Sequence, residues 1–382
     1  MPQDVLTPPE FLDELVARFD PDGFDAPDGS ARVRVRWNGD ARDISIRGKS
    51  VRIGPPRDGR ADTLIEADER VWRQLVDDAG AGLQAFGRGK LRMRGNLHVG
   101  VGFLSATSGA PADRRLRFGR AAGLAYMEAG SGDPVLMIHG LGGTKASFLP
   151  TVVAVASAGY HAIAFDQPGF GDSHKPLFAA YDAPYMARAT IEFLDAREID
   201  SAHIIGNSLG GRVTLEIGLE HPDRARKLAL LACSLPWKRR PPWARYLPYL
   251  RPELGLIQPA PRSIVEGIVR RSIPGGGGGW AAAGIDEFLR SYCTPRGRAA
   301  FYAAARHIIL ERSEEFWERL GTLDRDALFV WGRHDGLIVP GFVPHVRAAL
   351  PAAQHVELNC GHVPQIERPA DTEAVLKRYL AA

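Results

Sequence analysis

The chain has 382 residues, which exceeds one typical core and suits two domains. Apolar residues make up 45% and charged residues 24%, as in an ordinary globular protein, and a net charge of +3 is too small to argue for a nucleic-acid partner. Three scattered cysteines, Cys233, Cys293 and Cys360, form neither a disulfide framework nor a zinc site, no run reaches the roughly 20 apolar residues of a membrane span, and the N-terminus lacks a signal pattern, so a cytoplasmic protein is expected.

Taken in order, Phe11, Leu12, Leu15, Val16 and Phe19 recur at helical spacing and predict a short amphipathic helix. Residues 32–37 alternate arginine with valine or tryptophan, which predicts a strand with one buried face. Residues 40–51 continue as strands, with Ile44, Ile46, Val51 and Ile53 at period two and breaks at Gly48 and Gly54. A helix is expected over 68–78 with Val71, Trp72, Leu75 and Val76 inside. A strand follows over 90–94, then a helix over 96–107 and a linker from Ser108. Beyond it, residues 134–140, 162–165, 202–206, 228–232 and 327–332 are apolar strands, with helices expected over 185–197 and 212–221. Strands alternating with helices imply a parallel sheet whose site lies at the carboxyl ends of its strands. About 90 residues between 235 and 325 carry no strand pattern. Helices are expected over 264–273, 285–292 and 301–317, and the glycines 275–279 suggest a hinge.

Residues 204–211, Ile-Ile-Gly-Asn-Ser-Leu-Gly-Gly, run an apolar strand into Gly-x-Ser-x-Gly and then a helix. A serine hydroxyl needs exposure on a sharp turn and a base to take its proton. Gly206 and Gly210 remove the Cβ atoms that would crowd such a turn, and the helix N-terminus aims free N–H groups at developing negative charge. Upstream, His139-Gly140-Leu141-Gly142-Gly143 follows a buried strand, and its glycines let main-chain N–H groups approach a reacting carbonyl.

Together with Asp166-Gln167-Pro168-Gly169-Phe170-Gly171-Asp172-Ser173, these motifs resemble the α/β-hydrolase family, its serine esterase and lipase-like branch, from about residue 115 onward. The resemblance implies an α/β fold: a doubly wound, mostly parallel sheet with a helical cap over about 235–325, in a domain spanning 111–382. It makes Ser208 the nucleophile, Asp335 after the strand at 327–332 the triad acid, and His362 in Gly-His-x-Pro-x-x-Glu-x-Pro the base. Backbone N–H groups of Leu141 and Leu209 form the oxyanion hole. His139 is assigned a structural role, His174 a solvated one and Cys360 that of a small buried residue. No metal and no cofactor is implied.

Residues 63–68, Trp72 and the stretch Phe86-Gly87-Arg88-Gly89-Lys90-Leu91-Arg92-Met93-Arg94-Gly95-Asn96 resemble the sterol-carrier-protein lipid-binding family, which implies an α+β domain over 1–110 with an apolar tunnel. Val33, Val35, Trp37, Ile44, Ile46, Leu91, Met93 and Leu104 are the expected lining residues, though they would equally serve as internal core. Residues 237–251 interleave cations with tryptophan and tyrosine, a mixture suited either to a lipid surface or to a cap edge. The expected reaction is hydrolysis of an ester of an apolar acyl or lipid-like substrate through an acyl-enzyme. A thioesterase, amidase, carbon–carbon hydrolase or acyltransferase could use the same triad, and a lipid carrier with a vestigial hydrolase is the non-enzymatic alternative. Oligomeric state is open.

Overall fold

The computed structural model describes residues 9–382 except 27–28, 78–81, 83–84, 87, 111–114, 237–245, 247–248, 250, 273–278 and 339. The chain divides into two compact units. One comprises residues 1–119 with 277–287, and the other 120–276 with 288–382.

The first unit is built on a five-stranded sheet in the order β3-β2-β1-β4-β5. Its strands are β1 (Ser30–Trp37), β2 (Asp40–Arg47), β3 (Ser50–Gly54), β4 (Thr63–Ala67) and β5 (Leu91–Gly95). Alternation in β1 works as expected: Val33, Val35 and Trp37 are buried, while the arginines between them face outward. Arg34 reaches across the antiparallel β1–β2 pair to grip Asp43 through two hydrogen bonds of 2.7 and 3.0 Å. The run expected as strands over 40–51 separates into β2 and β3 at a turn where Gly48 has φ 52°. Helix α1 (Glu10–Ala17) and helix α2 (Glu69–Asp77) pack Phe11 onto the Trp72 ring at 5.8 Å, and the Trp72 indole donates to the Arg36 carbonyl at 3.1 Å.

Helix α3 (Leu97–Ala106) starts with Asn96 accepting the Val99 N–H, as an N-cap should. Two further N–H groups near its start are satisfied from far along the chain. Asp286 accepts from Gly95 N at 3.1 Å and from the Arg94 guanidinium at 2.5 Å, and Glu287 accepts from Leu97 N at 2.7 Å. Seven of the expected lining residues (Val33, Val35, Trp37, Ile44, Ile46, Leu91 and Met93) are buried, and Leu104 is half-buried.

The second unit carries the eight-stranded sheet, in the order β13-β12-β11-β10-β8-β9-β7-β6. Strands β8 (Pro134–Ile138), β9 (His161–Phe165), β10 (Ala202–Asn207), β11 (Ala225–Leu231), β12 (Ala327–Gly332) and β13 (Gln354–Leu358) pair in parallel. β7 (Leu124–Ala129) joins β9 antiparallel, beside β6 (Arg117–Ala121). The central strands are buried along nearly their whole length, as a sheet covered on both faces requires. Helix α4 (Leu149–Ala156) follows β8, and α5 (Ala183–Ala196) begins at Asp182, whose carboxylate accepts Tyr185 N at 2.8 Å. Helix α6 (Leu209–Glu220) starts at the residue after Ser208, three residues earlier than the apolar pattern suggests.

Between β11 and β12 the described elements are helical: α7 (Leu254–Ile257), α8 (Arg262–Ser272), α9 (Gly279–Tyr292), α10 (Pro295–Leu310) and α11 (Ser313–Leu320). The single helix expected over 301–317 is in fact two. Glu311 adopts extended backbone (φ −54°, ψ 140°), and its carboxylate is drawn to Arg212 of α6 at 2.9 and 3.0 Å. A buried guanidinium, also paired with Glu216, is costly unless fully partnered, and the helix break supplies a partner. Of the aromatic and basic stretch 237–251, only Tyr246, Tyr249 and Arg251 lie within the described residues. Glycines 275–278 and linker residues 111–113 lie outside them. Among the described residues, no helix is long and apolar enough to cross a membrane. The chain closes with α12 (Val343–Ala349), α13 (Pro364–Glu367) and α14 (Pro369–Ala381).

Candidate active site

Three loops at the carboxyl ends of β10, β12 and β13 bring Ser208, Asp335 and His362 together. The Ser208 hydroxyl lies 2.9 Å from His362 Nε2, and His362 Nδ1 lies 2.8 Å from Asp335 Oδ2. With Nδ1 protonated, the imidazole donates to the carboxylate and leaves Nε2 as an acceptor for the serine proton. Asp335 is 4% exposed, and its other oxygen accepts N–H bonds from Leu337 at 2.8 Å and Ile338 at 2.9 Å. Burial alone would raise its pKa. The hydrogen bond and charge of His362, with the two backbone N–H bonds, outweigh that and hold it below the ordinary carboxylate value.

Ser208 sits at φ 53°, a conformation that costs an L-residue on the order of 1–3 kcal/mol and persists only where the surroundings enforce it. Enforcement comes from both sides. Ser208 N donates to Leu231 O at 2.9 Å, and Ser208 O accepts from Arg212 N and Ser234 N. A Cβ at Gly206 would collide with the Gly210 carbonyl, and one at Gly210 with that of Ile138. Only glycine therefore lets the elbow close on β8 and on itself.

The Leu209 N–H opens α6 directly after Ser208, and Leu141 lies on the loop after β8. A Cβ on Gly140 would come within 3.0 Å of Ser208 Cβ, which shows how tightly this loop presses against the elbow. Gly142, at φ 73°, turns the loop beneath the Phe288 ring of α9. Phe288 stacks on Tyr292 at 5.1 Å, and both pack edge-on against Phe301, so an aromatic wall covers the loop.

A buried charge cluster holds the same loop, and sequence reasoning missed it. Lys145, 2% exposed, donates its N–H to Asp166 Oδ1 at 2.7 Å, and its ammonium bonds Asp166 at 2.6 Å and Asp172 at 3.3 Å. Arg290 of α9 grips Asp172 at 2.5 and 3.1 Å. The conspicuous Asp166 turn was the visible signal; its lysine partner stands 21 residues earlier with no periodic mark. Burial works against charge on both Asp166 and Lys145, yet their mutual attraction prevails, lowering the carboxyl pKa and raising that of the ammonium. The carboxylate thus contributes stability that is complete above its unfolded pKa of about 3.9 and is lost as pH falls through the lower folded value. The lysine contributes stability that is complete below about 10.4 and is lost as pH rises through its higher folded value. Urea melts should show stability declining below about pH 4, and Lys145→Met should cost about 3–5 kcal/mol at neutral pH, because it leaves a buried carboxylate without its cation. An unchanged midpoint in Lys145→Met would contradict this.

The remaining candidates fall elsewhere. His139 is fully buried; its Nε2 accepts Gln167 N–H at 3.0 Å, its Nδ1 meets Gly140 O at 2.8 Å, and burial lowers its pKa. That arrangement braces the loop and leaves no nitrogen for proton transfer. His174 is exposed, and His334 faces Asn359 at 2.8 Å instead of the serine. Burial, with the nearby Glu367 and Asp335 charges, pushes the Cys360 thiol up to about 11, so it is not a thiolate at neutral pH. Among the described residues no group of His, Cys, Asp and Glu side chains could hold a metal ion.

Residues 133–254 match the family model of the alpha/beta hydrolase fold. Over 271 residues the chain is 27% identical to Lipase 3 of Moraxella sp. (strain TA144), spanning 65% of this chain and 78% of that protein. It is 29% identical over 256 residues to 2-hydroxy-6-oxo-6-phenylhexa-2,4-dienoate hydrolase of Burkholderia cepacia, spanning 63% of this chain and 85% of that one. The solved structure of the enzyme of that name from Rhodococcus sp. strain RHA1 superposes with a TM-score of 0.56 at 22% identity, covering 70% of this chain and all of that one.

Proposed function

The chain has the α/β-hydrolase fold, with an additional N-terminal sheet domain, and from that premise we propose that it is a serine hydrolase cleaving an ester of an apolar acyl or lipid-like substrate. The observation that carries the proposal is the unbroken line from Ser208 Oγ through His362 to Asp335. His362 Nε2 takes the serine proton as Oγ attacks the carbonyl, and Asp335 stabilises the imidazolium that forms. Backbone N–H groups of Leu141 and Leu209 receive the oxyanion. The imidazolium then protonates the leaving alcohol, and the same nitrogen activates water to release the acid from the acyl-serine.

An apolar substrate is supported by the lipase among the relatives and by the aromatic wall of Phe288, Tyr292 and Phe301 over the oxyanion loop. A second reading, hydrolysis of a carbon–carbon bond, is favoured by the relative from Burkholderia cepacia. Both begin from the same triad, so substrate profiling separates them. A panel of esters of increasing acyl length, together with a dienoate carbon–carbon substrate, should show turnover of the esters that rises with acyl length. Preference for the dienoate would favour the second reading.

The N-terminal unit is proposed as a carrier-like module of the sterol-carrier type, supported by its element order and by the Gly-Lys-Leu strand leading into α3. A pocket tethered to the enzyme could raise the local concentration of a scarce apolar substrate into the millimolar range. Leu104→Trp, at a half-buried position on α3, should lower turnover of long-chain esters several-fold and spare acetate esters, since it acts on delivery and not on chemistry. An equal loss on both would indicate a purely structural module.

A further inference from the structure

The line of triad hydrogen bonds fixes the imidazole of His362, yet it does not explain what fixes the backbone from which the ring projects. His362 lies on a loop between β13 and the short α13, with no regular ladder of its own. Three main-chain groups of residues 361–363 are gripped by two side chains. Glu367 accepts Gly361 N–H through Oε2 at 2.7 Å and Val363 N–H through Oε1 at 2.9 Å. Between them, the His362 carbonyl accepts from Asn207 Nδ2 at 3.1 Å, and the same nitrogen donates to Leu231 O at 3.0 Å.

We infer that Asn207 and Glu367 are positioning residues for the general base, which hold the Gly361 N–H before His362 and the His362–Val363 peptide after it and so set its ring in register with Ser208. The residue types fit the task. Both groups facing Glu367 are donors, and a carboxylate offers two acceptor oxygens and no hydrogen. Both groups facing Asn207 are carbonyl oxygens, and its amide nitrogen carries two hydrogens. The partners themselves settle which way the Asn207 amide points. Asn207 also directly precedes Ser208 and is 4% exposed, so nucleophile and base are registered through one rigid residue rather than through the length of chain between them. With the backbone held, Asp335 has only the side-chain torsions of His362 left to fix.

This inference rests on Ser208 and His362 being the nucleophile and base. Its test uses the full chain, with kcat expressed per site after exhaustive fluorophosphonate titration, well below each variant's Tm. Glu367→Gln keeps shape but sets an NH2 against an N–H; kcat should fall by roughly 10- to 100-fold with KM changed by less than about threefold, as expected when a reacting group is misplaced by a fraction of an ångström. Glu367→Asp keeps both acceptors and should recover part of that loss. Asn207→Ala should lower kcat about 10-fold, and the double variant Asn207→Ala/Glu367→Gln should lie within about threefold of the worse single, because both act on one loop. A merely structural role would lower Tm and leave kcat per site within about twofold of wild type, which overturns the inference, as would losses that multiply in the double variant. Should Glu367→Gln not fold, Asn207→Ala decides, and wild-type kcat in it overturns the inference. Ser208→Ala run alongside keeps the two failures apart. Turnover in that variant removes the underlying assignment; an inert Ser208→Ala with a fully active Glu367→Gln removes only the positioning role.

Discussion

Replacing Ser208 by alanine should abolish ester turnover, lowering kcat by roughly 10³-fold or more, equivalent to about 4 kcal/mol or more of transition-state stabilisation. The hydroxyl 2.9 Å from His362 Nε2 is the atom proposed to bond the acyl group, and alanine leaves the base with nothing to deprotonate. The fold should survive. Alanine bears the same Cβ at φ 53°, so the local strain is unchanged, and the three main-chain hydrogen bonds around residue 208 do not involve the side chain. Thermal melts should therefore nearly coincide with wild type while activity disappears. Adding His362→Ala to Ser208→Ala should cost little more, because the base acts only through the serine. A multiplicative further loss would show that His362 works on another group.

The second large effect is expected at Asp335→Asn, with a fall in kcat on the order of 10³- to 10⁴-fold and little change in KM. The surroundings dictate which way an asparagine would sit. Leu337 N–H and Ile338 N–H both point at Oδ1, so the amide oxygen must take that place and the NH2 must face His362. His362 Nδ1 then becomes an acceptor, the proton moves to Nε2, and Nε2 no longer accepts from Ser208. Volume and packing are conserved, so the variant tests the tautomer, not the fold. Activity within tenfold of wild type would mean that the carboxylate does not set the imidazole.

Much of the architecture was legible because strong local demands mark it. Strand β1 alternates arginine and apolar residues because one face is buried, and the elbow announces itself because φ 53° at Ser208 leaves room only for glycine two positions either side. Asp335 and His362, 27 residues apart, carry no local pattern that pairs them; only their place after successive strands, read through the family resemblance, marks them. What escaped notice depends on distant partners. Strand β7, between β9 and β6, is buried along its length and shows no alternation, and the turn before it uses Ala122 at φ 48° beside Gly123. The break at Glu311 has no glycine or proline to signal it, and its cause, Arg212, stands 99 residues away. Asp286 and Glu287 look like ordinary helix-surface acids, yet they satisfy N–H groups some 190 residues earlier. Glu367 is visible in the histidine motif, but its two acceptor bonds appear only once the loop is folded.

The central claim, that Ser208 is the atom acylated during turnover, is tested most directly by reacting the full chain with a fluorophosphonate and locating the adduct by peptide mass spectrometry. The prediction is a single stoichiometric adduct on Ser208, lost in Ser208→Ala and strongly slowed in His362→Ala. An adduct on any other residue, or turnover that persists after complete labelling of Ser208, would contradict it.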